Sequence, residues 1–400
     1  MYSFNDLRRP VVPVAEFEIL NKSGGLVESV DIKTGELVSF VDNRVVPVDS
    51  AGLVDRYSLQ STIRTILKTY RVARCLRSPI SVSHHISIFK NAQFNSVFFG
   101  GLQTCGSVWH CPVCAAKISE RRVIEVQQAI DYCQALGGSV SFVTRTVPHD
   151  KQDSLKTILY QFRDAERFLK KHRQYKNLLK TFESFGQIKV FEITVGLNGW
   201  HLHVHEIHLH QNKQSLENLA IFEENFYNLW ASVAVLAGFE EPSRAFGLQV
   251  QNGDFAAAYL AKFGKESKSN WNVSREITKQ HIKKSKSGFS PFDLIRAYRD
   301  KQTDFLAGLI LEYGETMHGQ QQLIWSNGLK KLVAVEIVSD AEISAAQDAA
   351  AVLLGLLSLK QWRFIIKMDK RIEVLLMAKY HGFDGLTAFL TSIGAPSFEN

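Results

Sequence analysis

Two kinds of hydrophobic spacing alternate along the chain. In residues 1–70, short Val-rich runs at 11–14 and 45–48 are broken by Gly and Asp and predict strands and turns. From 115 to about 136 the spacing becomes helical, with Ile118, Val123, Ile124, Val126, Ile130 and Cys133 on the apolar face, until Gly137 and Gly138 stop it. Residues 139–147 read as a buried strand ending at Pro148. Leu155, Ile158, Leu159, Phe162 and Leu169 trace a second amphipathic helix that runs into Lys170, Lys171, His172 and Arg173. Residues 188–195 and 200–210 predict a β-hairpin around a turn at 196–199. Helical spacing returns at 222–237 and in a short stretch from Asp254 to Phe263, and 279–287 is a polar, basic loop. After about Lys331 the chain is Ala-rich and predicts helix.

This order of elements predicts an α+β fold: a central antiparallel sheet with flanking helices, preceded by a cysteine element and followed by a helical region. The 400 residues suggest two or three domains, and 45% hydrophobic residues are enough for a sizeable core. The longest apolar run, 349–359, is about half what a spanning helix needs, and the N-terminus lacks a cleavable hydrophobic stretch. A cytoplasmic protein without a membrane partner is expected. The net charge of +7 favours a polyanionic partner. Five cysteines in such a chain point to metal rather than to disulfides.

Cys111 and Cys114 form a Cys-x-x-Cys turn, with Cys105 six positions before it and Cys75 farther upstream. A turn of this spacing points two thiolates at one ion, and four ligands close a tetrahedral structural Zn²⁺ site. Cys75 is the chosen fourth ligand, with His84, His85 and His110 as alternatives. Cys133 is expected to be a buried core thiol.

On the second hairpin strand, His201, His203 and His205 alternate and so share one side of the sheet. The preceding strand carries Glu192. A turn centred on Leu197-Asn198 sets Glu192 opposite His203, and one centred on Asn198-Gly199 sets it opposite His205. Either register brings a carboxylate to the imidazoles, a donor set for a divalent metal with open positions. His208 and His210 fall on the other side, where they are expected at the surface, and His149 is expected to be structural. On the 254–263 helix, Tyr259 and Lys262 share a face. A tyrosine beside a bound metal can attack a phosphodiester while a lysine offsets the developing charge.

Taken in order, these pieces resemble the rolling-circle plasmid replication initiators of the HUH endonuclease superfamily. The first strand motif is matched by Phe142-Val143-Thr144-Arg145-Thr146-Val147-Pro148-His149, the metal motif by Gly199-Trp200-His201-Leu202-His203-Val204-His205, and the nucleophile motif by Ala258-Tyr259-Leu260-Ala261-Lys262. The cysteine turn followed by Ala115-Ala116-Lys117-Ile118-Ser119-Glu120-Arg121-Arg122 is similar to one branch of these initiators. So are Pro291-Phe292-Asp293-Leu294 and Trp325-Ser326-Asn327-Gly328-Leu329-Lys330. The resemblance covers about 70–330.

It implies a nickase in which His203 and His205, with Glu192 and, as a further candidate ligand, His201, hold Mg²⁺ or Mn²⁺, Tyr259 is the nucleophile and Lys262 its helper. On this reading 71–125 is the zinc element, 126–330 the nuclease domain and 331–400 a helical accessory region, with 1–70 unassigned. The implied partners are plasmid origin DNA, locally single-stranded, and a host helicase, polymerase and single-strand-binding protein, with oligomerisation left open. Lys170, Lys171, Arg173, Lys283, Lys284 and Lys286 are candidate DNA contacts. Leu202 replaces the family's usual proline. Phe255 stands where some relatives carry a terminating glutamate, and Glu266 is a substitute candidate. A single-strand transposase of the same superfamily, a zinc-dependent DNA-binding regulator without nuclease activity and a zinc hydrolase built on the histidine strand are the alternatives.

Overall fold

The computed structural model describes residues 17–23, 26–31, 37–41, 44–80, 84–93, 95–253, 288–346 and 348–397. They cluster into two compact units. The first comprises 1–117, 295–307 and 339–400, and the second 118–294 and 308–338.

In the first unit, β1 (Phe17–Ser23), β2 (Leu26–Asp31), β3 (Leu37–Val41) and β4 (Arg44–Pro47) form an antiparallel meander. Helix α1 (Val48–Ile66) follows, where the sequence predicted only strands and turns. It is cryptic because its buried side is partly polar: Ser50, Asp55, Ser58 and Gln60 are all buried. Their partners come from distant segments. Arg296 and Arg299 pair with Asp55, Lys379 bonds Ser50 and Arg371 bonds Gln60. Buried polar groups satisfied in this way stabilise a helix that periodicity alone cannot reveal. A second sheet joins β5 (His85–Asn91) and β6 (Ser96–Gly100) to the strand Val352–Ser358. That strand lies inside the long apolar run of the C-terminal region. The region's main helices are Leu359–Lys367, started by a Ser358–Gln361 capping box, and a kinked helix over Arg371–Ser392.

The second unit is built on a five-stranded antiparallel sheet. Its strands are β7 (Ser139–Thr146), β8 (Ser184–Gly196), β9 (Gly199–His210), β10 (Leu248–Asn252) and β11 (Leu323–Trp325), in the order β10-β7-β9-β8-β11. Helix α2 (Pro112–Ala135) supplies Val126, Ala129, Ile130 and Cys133 to one face, against Phe142, Ile188, Val190, Ile207 and Leu209. Cys133 is fully buried, as predicted. The other face is covered by α3 (Leu155–Lys171), α4 (Arg173–Thr181) and α5 (Leu216–Leu236), whose Phe162, Phe222, Phe226 and Trp230 are fully buried. Each such side chain contributes about 1.5–3 kcal/mol by leaving water. Ser154 and Ser215 cap α3 and α5 by accepting backbone N–H bonds. No described helix is long and apolar enough to cross a membrane.

His208 and His210 correct the sequence reading: both are fully buried. Their side of β9 lies under α5, where both rings pack edge-on against Phe222. His208 Nε2 lies 3.0 Å from Glu206 Oε2. Glu206 belongs to a buried cluster with Arg145, Glu166 and Lys189, two cations against two carboxylates. The Arg145 guanidinium also sits 4.4 Å from the Trp230 ring centroid. Alternation along the strand shows which residues share a side but not that a helical layer covers it, so a polar side can be dry.

Candidate functional site

Two clusters of chemistry-bearing side chains stand out, one in each unit. In the first unit, Cys75, Cys105, Cys111 and Cys114 are buried and their sulfurs lie within 4.8 Å of one another. Among the described residues this is the one such metal-ligand cluster. Sγ–Sγ separations are 3.7 Å for Cys75–Cys111, 3.6 Å for Cys75–Cys114 and 3.7 Å for Cys105–Cys114. A tetrahedron with metal–sulfur bonds of about 2.3 Å has edges of about 3.8 Å, so the cluster can hold a metal ion such as zinc. The thiols are free, and their spacing is far beyond a disulfide bond. Of the alternative ligands, His84 and His85 are exposed, and His110 packs edge-on against Tyr70.

Donors around the sulfurs suit thiolates. The backbone N–H of Cys105 donates to Cys75 Sγ, and Gln60 Nε2 donates to Cys111 Sγ at 3.2 Å. Gln60 is itself held by Arg371, whose Nη1 donates to Gln60 Oε1 at 2.7 Å and to the Leu76 carbonyl at 3.1 Å. Burial raises the Cys111 thiol, but hydrogen bonds from Cys105, Cys114 and Cys75 outweigh it and hold Cys111 well below its usual range, whereas the same cluster holds the Cys75 and Cys105 thiols above theirs. Sequence reasoning missed Gln60 and Arg371, because neither lies near a cysteine motif.

In the second unit, the hairpin closes through a two-residue turn, Leu197-Asn198, with Gly196 opposite Gly199. Gly199 has φ +85°, and a Cβ there would lie 2.8 Å from the Asp150 carbonyl oxygen, so a side chain would force the 150–151 segment away. In the resulting register Glu192 faces His203, and Thr194 faces His201. On the opposite flank β7 sets Thr144 beside His205 and Thr146 beside His203. The sheet face is therefore divided. Its apolar half packs under α2, and its polar half carries Thr144, Thr146, Glu192, Thr194, His201, His203 and His205. The Phe142 ring stacks on His205 at the boundary, with centroids 5.4 Å apart.

Across this polar half, His205 Nε2 lies 2.7 Å from Glu192 Oε2, and His205 Nδ1 lies 3.1 Å from Thr144 Oγ1. The carboxylate thus reaches diagonally past its direct partner His203. With Nε2–H donating to the carboxylate, Nδ1 accepts from the Thr144 hydroxyl, so both ring nitrogens are held in place. The other end of the row contains a residue the sequence left out of the site. His149 Nδ1 lies 2.9 Å from the Asn198 carbonyl, which can only accept, so Nδ1 carries the proton. In the neutral ring His149 Nε2 then accepts from His201 Nδ1–H at 2.8 Å. That tautomer leaves His201 Nε2 as a lone pair, buried and without a hydrogen-bond partner among the described residues. Burial, with His149 beside it, pushes His201 down to about 4 against the pull of Glu192, so the lone pair stays bare at neutral pH. Among the described residues His201, His203, His205 and Glu192 are not gathered into a metal-ligand cluster like that of the cysteines; they share one polar sheet face.

Tyr259, Lys262, Glu266, Lys283, Lys284 and Lys286 lie outside the described residues. Lys170, Lys171 and Arg173 are exposed where α3 meets α4, in the layer on the opposite side of the sheet from the histidines.

No family model and no solved structure matches the chain. It is similar to a Streptomyces lividans protein named Protein rep, 24% identical over 62% of this chain and 68% of that one. A shorter stretch is similar to a Streptomyces cyanogenus protein named Neomycin resistance protein, 31% identical over 27% of this chain and 30% of that one.

Proposed function

We propose that the chain initiates rolling-circle replication of a plasmid as a metal-dependent nickase that joins itself to one DNA strand through Tyr259. The observation that carries this reading is the polar half of the sheet face, where Glu192 and His203 oppose each other and His205 is oriented by Thr144. The similarity to a protein named rep supports replication as the setting. His203, His205 and Glu192, with His201 beside them, would hold Mg²⁺ or Mn²⁺, and the four cysteines would hold Zn²⁺. The divalent ion supplies polarisation of the scissile phosphate and a counter-charge for its oxygens.

The chain's own residues do the rest. The Tyr259 hydroxyl loses its proton and its oxygen bonds to phosphorus at a locally unpaired origin. The bond from phosphorus to the 3′ oxygen breaks, and that oxygen takes a proton to become the free 3′ hydroxyl. Lys262 offsets charge developing on the phosphate. The strand stays attached as a 5′ phosphotyrosine. The 3′ hydroxyl would prime a host polymerase while host helicase and single-strand-binding protein act on the displaced strand.

The test is a labelled single-stranded oligonucleotide set spanning the plasmid's origin, incubated with protein and Mn²⁺ and run on a denaturing gel. A covalent protein–DNA band is expected from wild type and from Tyr313→Phe, since Tyr313 is buried and its phenol raised by burial. The band is expected to vanish in Tyr259→Phe. Folded, metal-loaded protein that gives no band with any origin strand would sink the proposal.

A further inference from the structure

The chain's positive charge is confined to one stretch. Residues 56–119 contain no Asp or Glu at all, in 64 positions that carry eight Lys and Arg. The remaining 336 residues carry 39 Lys and Arg against 40 Asp and Glu, so the net +7 comes from this segment. The stretch also holds the four gathered cysteines.

Four of its eight cations are occupied within the first unit. Arg77 pairs with Asp369, Lys90 donates to the Lys379 carbonyl, Lys117 donates to the Ser344 carbonyl, and Arg56 has its own contacts. The other four, Arg64, Lys68, Arg71 and Arg74, fall within eleven residues and pair with no carboxylate among the described residues. Lys68, Arg71 and Arg74 are exposed. Arg71 and Arg74 are the two ends of a 3₁₀ turn, Arg71–Arg74, and side chains three apart on such a turn eclipse. Arg64 lies close enough to Arg77 for the two guanidinium charges to repel, and its Nε is buried without a partner. The ordinary role of such cations, to complement the C-terminal end of a helix, fits Arg64 in the last turn of α1. It does not account for three exposed cations beyond that helix. Folding thus gathers a like-charged group with no carboxylate beside it among the described residues, a surface that a polyanion can complete.

The group is also fixed in place. Arg74 directly precedes Cys75, and Arg71 Nη2 donates to the carbonyl of Thr104, the residue before Cys105. Both ends of the metal cluster therefore anchor the loop.

We propose that the 67–74 segment, through Lys68, Arg71 and Arg74, binds the phosphate backbone of duplex DNA without reading sequence, and that metal held by the cysteines keeps these cations in register. The choice of DNA over another polyanion rests on the nickase reading; the surface does not. Each cation that neutralises a phosphate adds about 0.9 to the dependence of log affinity on log salt.

The experiment uses fluorescence anisotropy of the full chain, zinc-loaded, with a fluorescent 20-base-pair DNA of arbitrary sequence over a salt series. Lys68→Gln/Arg71→Gln/Arg74→Gln is expected to lower the slope by about 2.7. Because Arg71 also ties down Thr104, Lys68→Gln/Arg74→Gln is measured in parallel and is expected to lower it by about 1.8, with zinc content and melting temperature unchanged. Slopes equal to wild type in folded, zinc-loaded variants would overturn the proposal, as would wild type that does not bind the duplex. Tighter, loop-dependent binding to duplex RNA of the same sequence would overturn the assignment to DNA. The covalent band on a short single-stranded oligonucleotide is recorded for every variant, so loss of nicking is read separately from loss of duplex binding.

Discussion

The cysteine cluster and the histidine face are both candidate metal sites, and they differ in closure. The four sulfurs lie at tetrahedral spacing with every ligand direction spent on protein. The histidine row lies along a sheet face with ligand directions left over, including a buried lone pair on His201. A closed site can only hold structure together, whereas an open one can take a substrate oxygen. The difference follows from the backbone. The cysteines sit on a 3₁₀ turn's end, a loop and a helix start, which wrap around a point. The histidines sit on a strand, which can present ligands only in a line.

The largest effect expected from this contrast is on folding. Cys111→Ser, or removal of metal by a chelator, should unfold the first unit, since structural zinc contributes on the order of 10 kcal/mol in small domains. Hydrogen exchange would show it: amides of α1 and of β5 and β6 lose protection while those of β7–β9 keep theirs. Equal loss in both units would mean that the cysteines do not act locally. Next comes His205→Ala, which should lower the rate of covalent adduct formation by at least about 10²-fold and leave the melting temperature within a few degrees. A variant that melts far earlier would make His205 a packing residue, stacked on Phe142 and nothing more.

Smaller effects should separate the two sites through their supporting residues. Thr144→Val removes the hydroxyl that faces His205 Nδ1, and Gln60→Leu removes the donor to Cys111. Loss of such a supporting bond typically costs about 10–100-fold in metal affinity. Thr144→Val should raise the Mn²⁺ concentration needed for nicking and leave zinc retention unchanged. Gln60→Leu should speed zinc release to a chelating dye and leave the Mn²⁺ requirement unchanged. Crossed effects would erase the distinction between the sites.

These supporting residues also mark the limit of what the sequence carried. The hairpin, the shared side of its three histidines and the Cys111–Cys114 turn were legible because each depends on short spacing: two for a strand, three for a Cys-x-x-Cys turn; Cys75, 36 residues before Cys111, had no such spacing behind it. One of the two registers derived from the turn is the observed one, Glu192 opposite His203. His149 was within reach, since it stands just after β7, but its role depends on a carbonyl in a turn 49 residues away. Gln60 and Arg371 lie 311 residues apart and could not be paired from a single sequence. Helix α1 was hidden for the same reason, because its buried polar residues find their partners only in three dimensions.

The smallest expected effect concerns the histidines on the covered side of β9, which should report stability rather than chemistry. His210 Nδ1–H donates to the Phe182 carbonyl, and Nε2 accepts from Ser141, so the neutral ring is fully satisfied. Burial, with a further push from His208, lowers its pKa from 6.5 to about 4. Because the folded state resists protonation more than the unfolded state does, the stabilisation is complete above about pH 6.5. It is lost as pH falls toward about 4, by on the order of 3 kcal/mol. His208 is lowered in the same direction, chiefly by burial, and adds to the loss. Urea melts of the second unit, followed through the buried Trp230, should show this decline. His210→Gln should be less stable at pH 7 but lose less between pH 6.5 and 4. The glutamine does not titrate, so its curve isolates the histidine's share. A wild-type curve that is flat over this window would mean that the ring is solvated, as the sequence alone had suggested, and that α5 does not seal that side of the sheet.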